Sequence, residues 1–276
     1  MADEMPDKEQ QPQDATNNEP DDQEDENHSE KRMPFLEHLE ELRWCLIKSI
    51  SAIVLFAIAS WFFREKVIDL LMGLNPDPNA KLHFLRPMDA LIVQLKISLS
   101  LGLILGLPVI IQQIWSFIAP GLLPHEKKYL PAVIFFTILC FVAGASFAYF
   151  LIIPFALDFL AHFAGDDLVA TWTIDGFLAF VTQLILGFGV VFEMPMLAFV
   201  LSWIGIVDDH FLRKYRAYGI TSIFVVAALL TPPEPMTQIM LALPLISLYE
   251  VSILVAGMVR KRKEKRAEEE DEDYEN

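Results

Sequence analysis

The sequence has only two cysteines, Cys45 and Cys140, among its 276 residues. Both lie in apolar runs without the spacing of a disulfide framework or a zinc site, so we interpret them as reduced thiols that pack as small hydrophobic side chains. Walker, HExxH and GxSxG motifs are missing, and the six histidines are scattered over loops and tails. We therefore predict a protein that is not an enzyme and that needs no metal or cofactor.

A secretory signal is also missing, because the first apolar run follows an acidic stretch rich in Pro, Gln and Asn. Residues 1–33 hold 12 acidic and 3 basic residues, and this tail is expected to be disordered because it has little to bury. Residues 260–276 form a second charged tail with 8 acidic and 6 basic residues. Most of the formal net charge of −16 thus belongs to the tails, and residues 34–259 form an apolar body.

The hydrophobic fraction of 54% exceeds the roughly 45–50% of soluble proteins. It is concentrated in six runs, and about 20 apolar residues suffice to cross a bilayer as a helix. The fifth run, about 14 residues or roughly 21 Å of helix, is short, and we expect it to form a hairpin with the sixth. The sequence predicts an all-α integral membrane protein with six transmembrane helices, at about residues 46–63, 91–115, 130–157, 177–203, 217–230 and 238–259.

Basic residues orient this predicted bundle. With six crossings, 15 Lys and Arg residues from Lys31 onward fall on the side of the N-terminus and 4 on the opposite side. Cytoplasmic loops carry the excess of Lys and Arg, so we predict that both termini face the cytoplasm.

Four prolines lie inside or near the ends of the predicted spans: Pro108, Pro154, Pro195 and Pro244. Each is expected to bend its helix, because proline removes one backbone hydrogen bond. The spacing of Gly102 and Gly106 would allow a close helix–helix contact.

Carboxylates occupy three unexpected positions. Glu41 lies on an amphipathic helix that enters the first span, where Lys or Arg is favoured, and it is either part of a solvated acidic face or a site for a cationic ligand. Glu126 follows a stiff, Pro-rich cytoplasmic loop, where it either caps the third span or joins Glu41 in taking two guanidinium groups in bidentate pairs. Glu193 lies in the fourth span, where an ionisable group is costly and marks either a protonated structural residue or a functional site.

Other polar groups lie in the last two spans. Thr231 and Gln238, at the outer end of the hairpin, are able to bond another helix in lipid. Glu250 lies nearer the cytoplasmic end, where a basic residue of the tail is a possible partner.

Over residues 34–259 the chain resembles the TatC family, the core membrane subunit of the twin-arginine protein translocase. The resemblance rests on ordered motifs: FLEHLEELR at 35–43, QIWSFIAP at 113–120 followed by His125 and Glu126, AYF at 148–150, FEMP at 192–195 and LLTPP at 229–233.

The resemblance implies a curved, cup-like bundle in the bacterial inner membrane that receives folded cargo with twin-arginine signal peptides and uses the proton gradient. It places the signal-peptide site at Glu41, Arg43, Phe117, Pro120 and Glu126. It makes Glu193 the buried polar group of a concave face, and it puts Thr231 and Gln238 at a partner-helix contact. The implied partners are single-span proteins of the TatA and TatB type and further copies of the chain, with no nucleic acid.

Two alternatives remain open from the residues alone. A proton-coupled small-solute transporter is suggested by Glu193 and Glu250 in the membrane, although the internal repeat typical of such transporters is not detectable. A membrane scaffold without a ligand would leave the acidic helix simply solvated.

Overall fold

The computed structural model of the protein describes residues 23–75, 82–118, 130–163, 172–231 and 235–275. Over these ranges the chain is helical apart from turns, short connections and one isolated bridge between His83 and Thr173. Within these described ranges, five helical stretches are long and apolar enough to cross a membrane. The predicted all-α membrane fold is confirmed, whereas the count of six crossings stays a prediction because the fifth run forms a helix of only 15 residues.

The described elements are ten α-helices and one π-helical segment. The second helix and the eighth are short and lie between longer ones. In chain order they are α1 (Gln23–Trp61), α2 (Arg64–Met72), α3 (Asp89–Ile118), α4 (Leu130–Phe147), the π-helical segment (Ala148–Ile152), α5 (Ile153–Phe163), α6 (Ile174–Val191), α7 (Met194–Ile204), α8 (Asp209–Lys214), α9 (Arg216–Leu230) and α10 (Pro235–Glu275).

Two of the four prolines interrupt their helices. Pro154 follows the π-helical segment, in which the N–H of Ile153 bonds the carbonyl five residues back at Ala148, so the missing N–H of proline is accommodated by a wider turn. Pro195 lies in the first turn of α7, just after the turn at residues 192–193. Pro108 and Pro244 instead lie inside the continuous helices α3 and α10.

The chain divides into two compact units, Met1–Arg43 and Trp44–Asn276. Within the second unit α6 supplies the centre of the main core, with Phe177, Val181, Leu184 and Phe188 almost fully buried. A second cluster of buried side chains, from α3, α4 and α7, comprises Ile111, Trp115, Val133 and Val200.

Helices α1 and α3 pack closely at Gly102. A Cβ atom on Gly102 would lie 2.6 Å from the backbone nitrogen of Ala57, whereas one on Gly106 would lie 3.6 Å from that of Ile53. The close contact expected from the small-residue spacing is therefore present, and it depends on the first of the two glycines.

Both charged tails extend the helices that they flank. Residues 1–22 of the predicted disordered segment lie outside the described residues, but α1 already begins at Gln23. The helix therefore includes residues 23–33 of the segment for which the sequence predicts disorder, and disorder of the tail stays a prediction. The C-terminal tail likewise continues α10 to Glu275.

Candidate functional site

The acidic end of α1 exposes Glu41. Its carboxylate is about half exposed, and Oε2 lies 3.3 Å from Nδ1 of His38, one turn earlier. Arg43 instead turns to Glu40, with 3.2 Å between Nη1 and Oε1. Because such exposed pairs within one helix are weak, the Glu41 carboxylate is accessible to a ligand.

The structure describes only part of the rest of the predicted signal-peptide site. Phe117 lies near the end of α3, half-buried. Pro120 and Glu126 fall in residues 119–129, outside the described residues. Their contribution to a site therefore rests on the sequence.

Glu193 lies at the turn between α6 and α7, where its backbone carbonyl accepts a bond of 2.8 Å from the N–H of Leu197. Its side-chain Oε1 is buried and has no hydrogen-bond partner among the described residues. An unpartnered carboxyl oxygen inside a membrane span is costly. That Glu193 is the buried polar group of a concave face stays a prediction.

Thr231 and Gln238 bond within their own hairpin. The Thr231 hydroxyl donates to the carbonyl of Ala227 at 2.9 Å, and the Gln238 amide donates to that of Phe224 at 3.0 Å. Gln183 of α6 donates to the carbonyl of Leu229. The carbonyl of Leu229 is one of the last four of the short α9, where helical partners run out, and Gln183 satisfies it. The carbonyl of Ala227 also accepts a bond of 3.0 Å from the N–H of Thr231. Contact of Thr231 and Gln238 with a partner helix stays a prediction.

Replacing Gln238 with leucine is expected to loosen the α9–α10 hairpin even without any partner protein. The change removes the bond to Phe224 and keeps the approximate volume, and bonds of this kind between membrane helices contribute about 0.6–1.7 kcal/mol. Thermal unfolding of the purified chain in detergent, followed by circular dichroism, measures the loss. A Gln112→Leu variant is the control, because Gln112 is an exposed glutamine in another long helix. Equal stability of wild type and Gln238→Leu would show that the bond contributes nothing.

Glu250 has a partner, but a different one from that expected. Its Oε1 lies 2.6 Å from Nη2 of Arg216 at the start of α9, and not beside a residue of the tail. One of the two carboxylates that suggested a proton-coupled transporter is therefore held in an ion pair.

Asp209 forms an ion-pair network that the sequence did not reveal. Its carboxylate is buried at the start of α8, and Oδ1 accepts a bond of 2.7 Å from Nε of Arg260. Nη1 of the same guanidinium bonds Glu264 at 2.7 Å, and Arg213 approaches Oδ2 of Asp209 at 3.7 Å. The Arg260 guanidinium holds the pKa of Asp209 below its usual range. An aspartate pair such as 208–209 is typical of a helix start, and Asp208 caps α8, but a partner 51 residues away leaves no sequence pattern.

Comparison with known proteins points to one family. The model of the family described as Sec-independent protein translocase protein (TatC) matches residues 37–244. The Sec-independent protein translocase protein TatC of Helicobacter pylori strain J99 is 39% identical over 222 residues, which are 80% of this chain and 88% of that protein. The protein of the same name from Aquifex aeolicus is also 39% identical, over 84% of this chain and 98% of its own length.

A solved structure supports the same relationship. The crystal structure of the twin-arginine translocase receptor TatC superposes with a TM-score of 0.75 at 36% identity. The superposition covers 81% of this chain and 99% of that one.

Proposed function

This chain belongs to the TatC family of Sec-independent protein translocase proteins, and we propose that it recognises the twin-arginine signal peptides of folded cargo through the carboxylates of Glu41 and Glu126. Membership in the family makes it a membrane-embedded translocase receptor subunit and not an enzyme. The resemblance inferred from the sequence motifs is thereby confirmed.

The exposed carboxylate of Glu41 carries this proposal. It projects from the helix that leads into the first span, and its Oε2 lies 3.3 Å from Nδ1 of His38. A guanidinium binds a carboxylate through two parallel N–H bonds, whereas a lysine ammonium acts as a point charge. A receptor that uses carboxylates in this way distinguishes paired arginines from paired lysines. Glu126 is assigned the second guanidinium on its sequence position, with Arg43, Phe117 and Pro120 flanking the site.

Several finer features complete the proposal. The excess of basic residues on one side supports cytoplasmic termini in a bacterial inner membrane. We also propose that the chain assembles with TatA- and TatB-type single-span proteins and with further copies of itself, with Thr231 and Gln238 near a partner helix. Transport driven by the proton gradient would then act on this complex.

Binding of matched signal peptides tests the recognition step. We expect the purified chain in lipid nanodiscs to bind a twin-arginine peptide more tightly than its twin-lysine counterpart. Glu41→Gln and Glu126→Gln should each weaken binding of the arginine peptide by about 10- to 100-fold, since hydrogen bonds to charged groups contribute about 1.5–3 kcal/mol. Fluorescence anisotropy of labelled peptides measures both effects.

Glu40→Gln is the matched control, because Glu40 lies on the same helix and pairs with Arg43. It should leave the peptide affinity nearly unchanged. Equal binding of the two wild-type peptides, or intact binding by Glu41→Gln and Glu126→Gln, would refute the carboxylate mechanism.

A further inference from the structure

An apolar groove with a basic end lies between α4, α7 and α10. Its lining residues fall within 132–140 of α4, 195–203 of α7 and 255–263 of α10. We refer to it as the α4–α7–α10 groove. Apart from Cys140, Arg262 and Lys263, the lining side chains are hydrophobic, and Phe136 among them is half exposed.

The dimensions of the groove match one leaflet of a membrane. Each of the three lining segments spans nine positions, or roughly 12 Å of helix at about 1.5 Å per residue. Half of a hydrocarbon core of about 30 Å is about 15 Å. The groove has a volume of about 490 Å³. Its length and its apolar wall suit acyl chains of one leaflet that lie along it.

The charged side chains that line the groove are positive. Arg262 and Lys263 line one end, and neither forms an ion pair within the described part of the chain. The nearby Glu264 is already bonded to Arg260, which also neutralises Asp209. Two cationic groups thus remain available to an anion at the mouth of the groove.

The basic end of the groove lies at the membrane surface that we predict to face the cytoplasm from the excess of Lys and Arg residues. Trp203 lines the groove close to this end, where amphipathic aromatic rings are common at membrane interfaces. A basic pocket between transmembrane helices on the cytoplasmic side is an arrangement that binds lipid headgroups.

We propose that the α4–α7–α10 groove binds an anionic phospholipid of the cytoplasmic leaflet. The acyl chains lie along the apolar wall toward Pro195, and the phosphate is held by Arg262 and Lys263. This site is separate from the proposed recognition of signal peptides, so either can fail without the other.

Quenching of Trp203 fluorescence by brominated lipids tests the proposal directly. In the full chain, the other four tryptophans, Trp44, Trp61, Trp115 and Trp172, are replaced by phenylalanine. The protein is reconstituted in phosphatidylcholine vesicles with increasing amounts of either brominated phosphatidylglycerol or brominated phosphatidylcholine. We expect brominated phosphatidylglycerol to quench at lower mole fraction. Arg262→Gln/Lys263→Gln should reduce that preference by about tenfold or more, because the phosphate loses its charge-assisted hydrogen bonds.

A second double variant separates a defined site from diffuse surface charge. Lys261→Gln/Lys265→Gln removes the same charge from positions outside the groove lining and should keep most of the preference. Ala132→Phe keeps all the charges, fills the apolar wall and should weaken quenching by both lipids. An equal loss in the two double variants would overturn the proposal, as would equal quenching by the two lipids.

Native mass spectrometry of the unmodified chain gives an independent test that needs no tryptophan replacement. Wild-type protein extracted from bacterial membranes should retain an anionic phospholipid, and Arg262→Gln/Lys263→Gln should lose it. Retention of the lipid by this variant would contradict the assignment. In vesicles without anionic lipid, protection of Trp203 from quenching by a twin-arginine peptide would assign the groove to the peptide. That result would overturn the lipid proposal.

Discussion

Gly102→Ala is expected to destabilise the protein, although alanine is the better helix former. The new Cβ would lie 2.6 Å from the backbone nitrogen of Ala57 and 2.7 Å from its Cα. Both are backbone atoms, so the contact is relieved only by moving α1 away from α3. Such overpacking costs about 1–3 kcal/mol, which exceeds the intrinsic advantage of alanine, about 1 kcal/mol.

Gly106→Ala provides the matched control, because it adds the same methyl group one helical turn further along α3. Its Cβ would lie 3.6 Å from the nearest atoms of Ile53 and Phe56, an ordinary van der Waals distance. We therefore expect this variant to be as stable as wild type or slightly more stable. Thermal unfolding of both variants in detergent measures the difference. The close-packing argument fails if Gly102→Ala is as stable as Gly106→Ala.

The two glycines also show what the sequence could predict about packing. The spacing of Gly102 and Gly106 indicated a small-residue contact, because that pattern depends on residues of one helix. It did not indicate that α1 is the partner or that only Gly102 is tightly packed, since both depend on where the helices cross. Apolar runs and prolines predicted the positions of the helices better than the glycines predicted their packing, because the length of a run and the backbone chemistry of proline act locally. Even so, Pro154 and Pro195 interrupt their helices, whereas Pro108 and Pro244 do not.

For the candidate site, the sequence likewise predicted individual residues but not their partners. Glu41 and Glu193 were predicted as site residues because each carboxylate occupies a position where lipid or orientation disfavours it, and their roles stay predictions. The partners of polar side chains were harder to predict, because they come from distant parts of the chain. Gln238 bonds α9, and Glu250 pairs with Arg216.

Asp209→Ala is expected to release α8 from α10 and to lower stability by about 1.5–3 kcal/mol, the contribution of a hydrogen bond to a charged group. The buried carboxylate holds the Arg260 guanidinium at 2.7 Å, and the variant leaves that cation with Glu264 alone. Arg260→Gln should act in the same direction, because it leaves the buried carboxylate without its closest cation. Arg213→Gln is the control: its Nε lies 3.7 Å from Asp209 and its side chain is largely exposed, so little change is expected.

The ion pair between Asp209 and Arg260 should also make the stability of the protein depend on pH in the acid range. The pKa of Asp209 is lowered in the folded protein, chiefly by the hydrogen bond from Arg260, so folding favours the ionised form. The stabilisation is fully present above the unfolded pKa of about 3.9 and is lost as the pH falls through the lower folded value. Thermal unfolding of wild type and Asp209→Asn between neutral pH and about pH 3 measures this loss. The gap between the two proteins should narrow as the pH falls below about 4, because protonation then removes from wild type the charge that the variant lacks. A gap that stays constant over this range would show that the carboxylate charge of Asp209 does not hold α8 against α10.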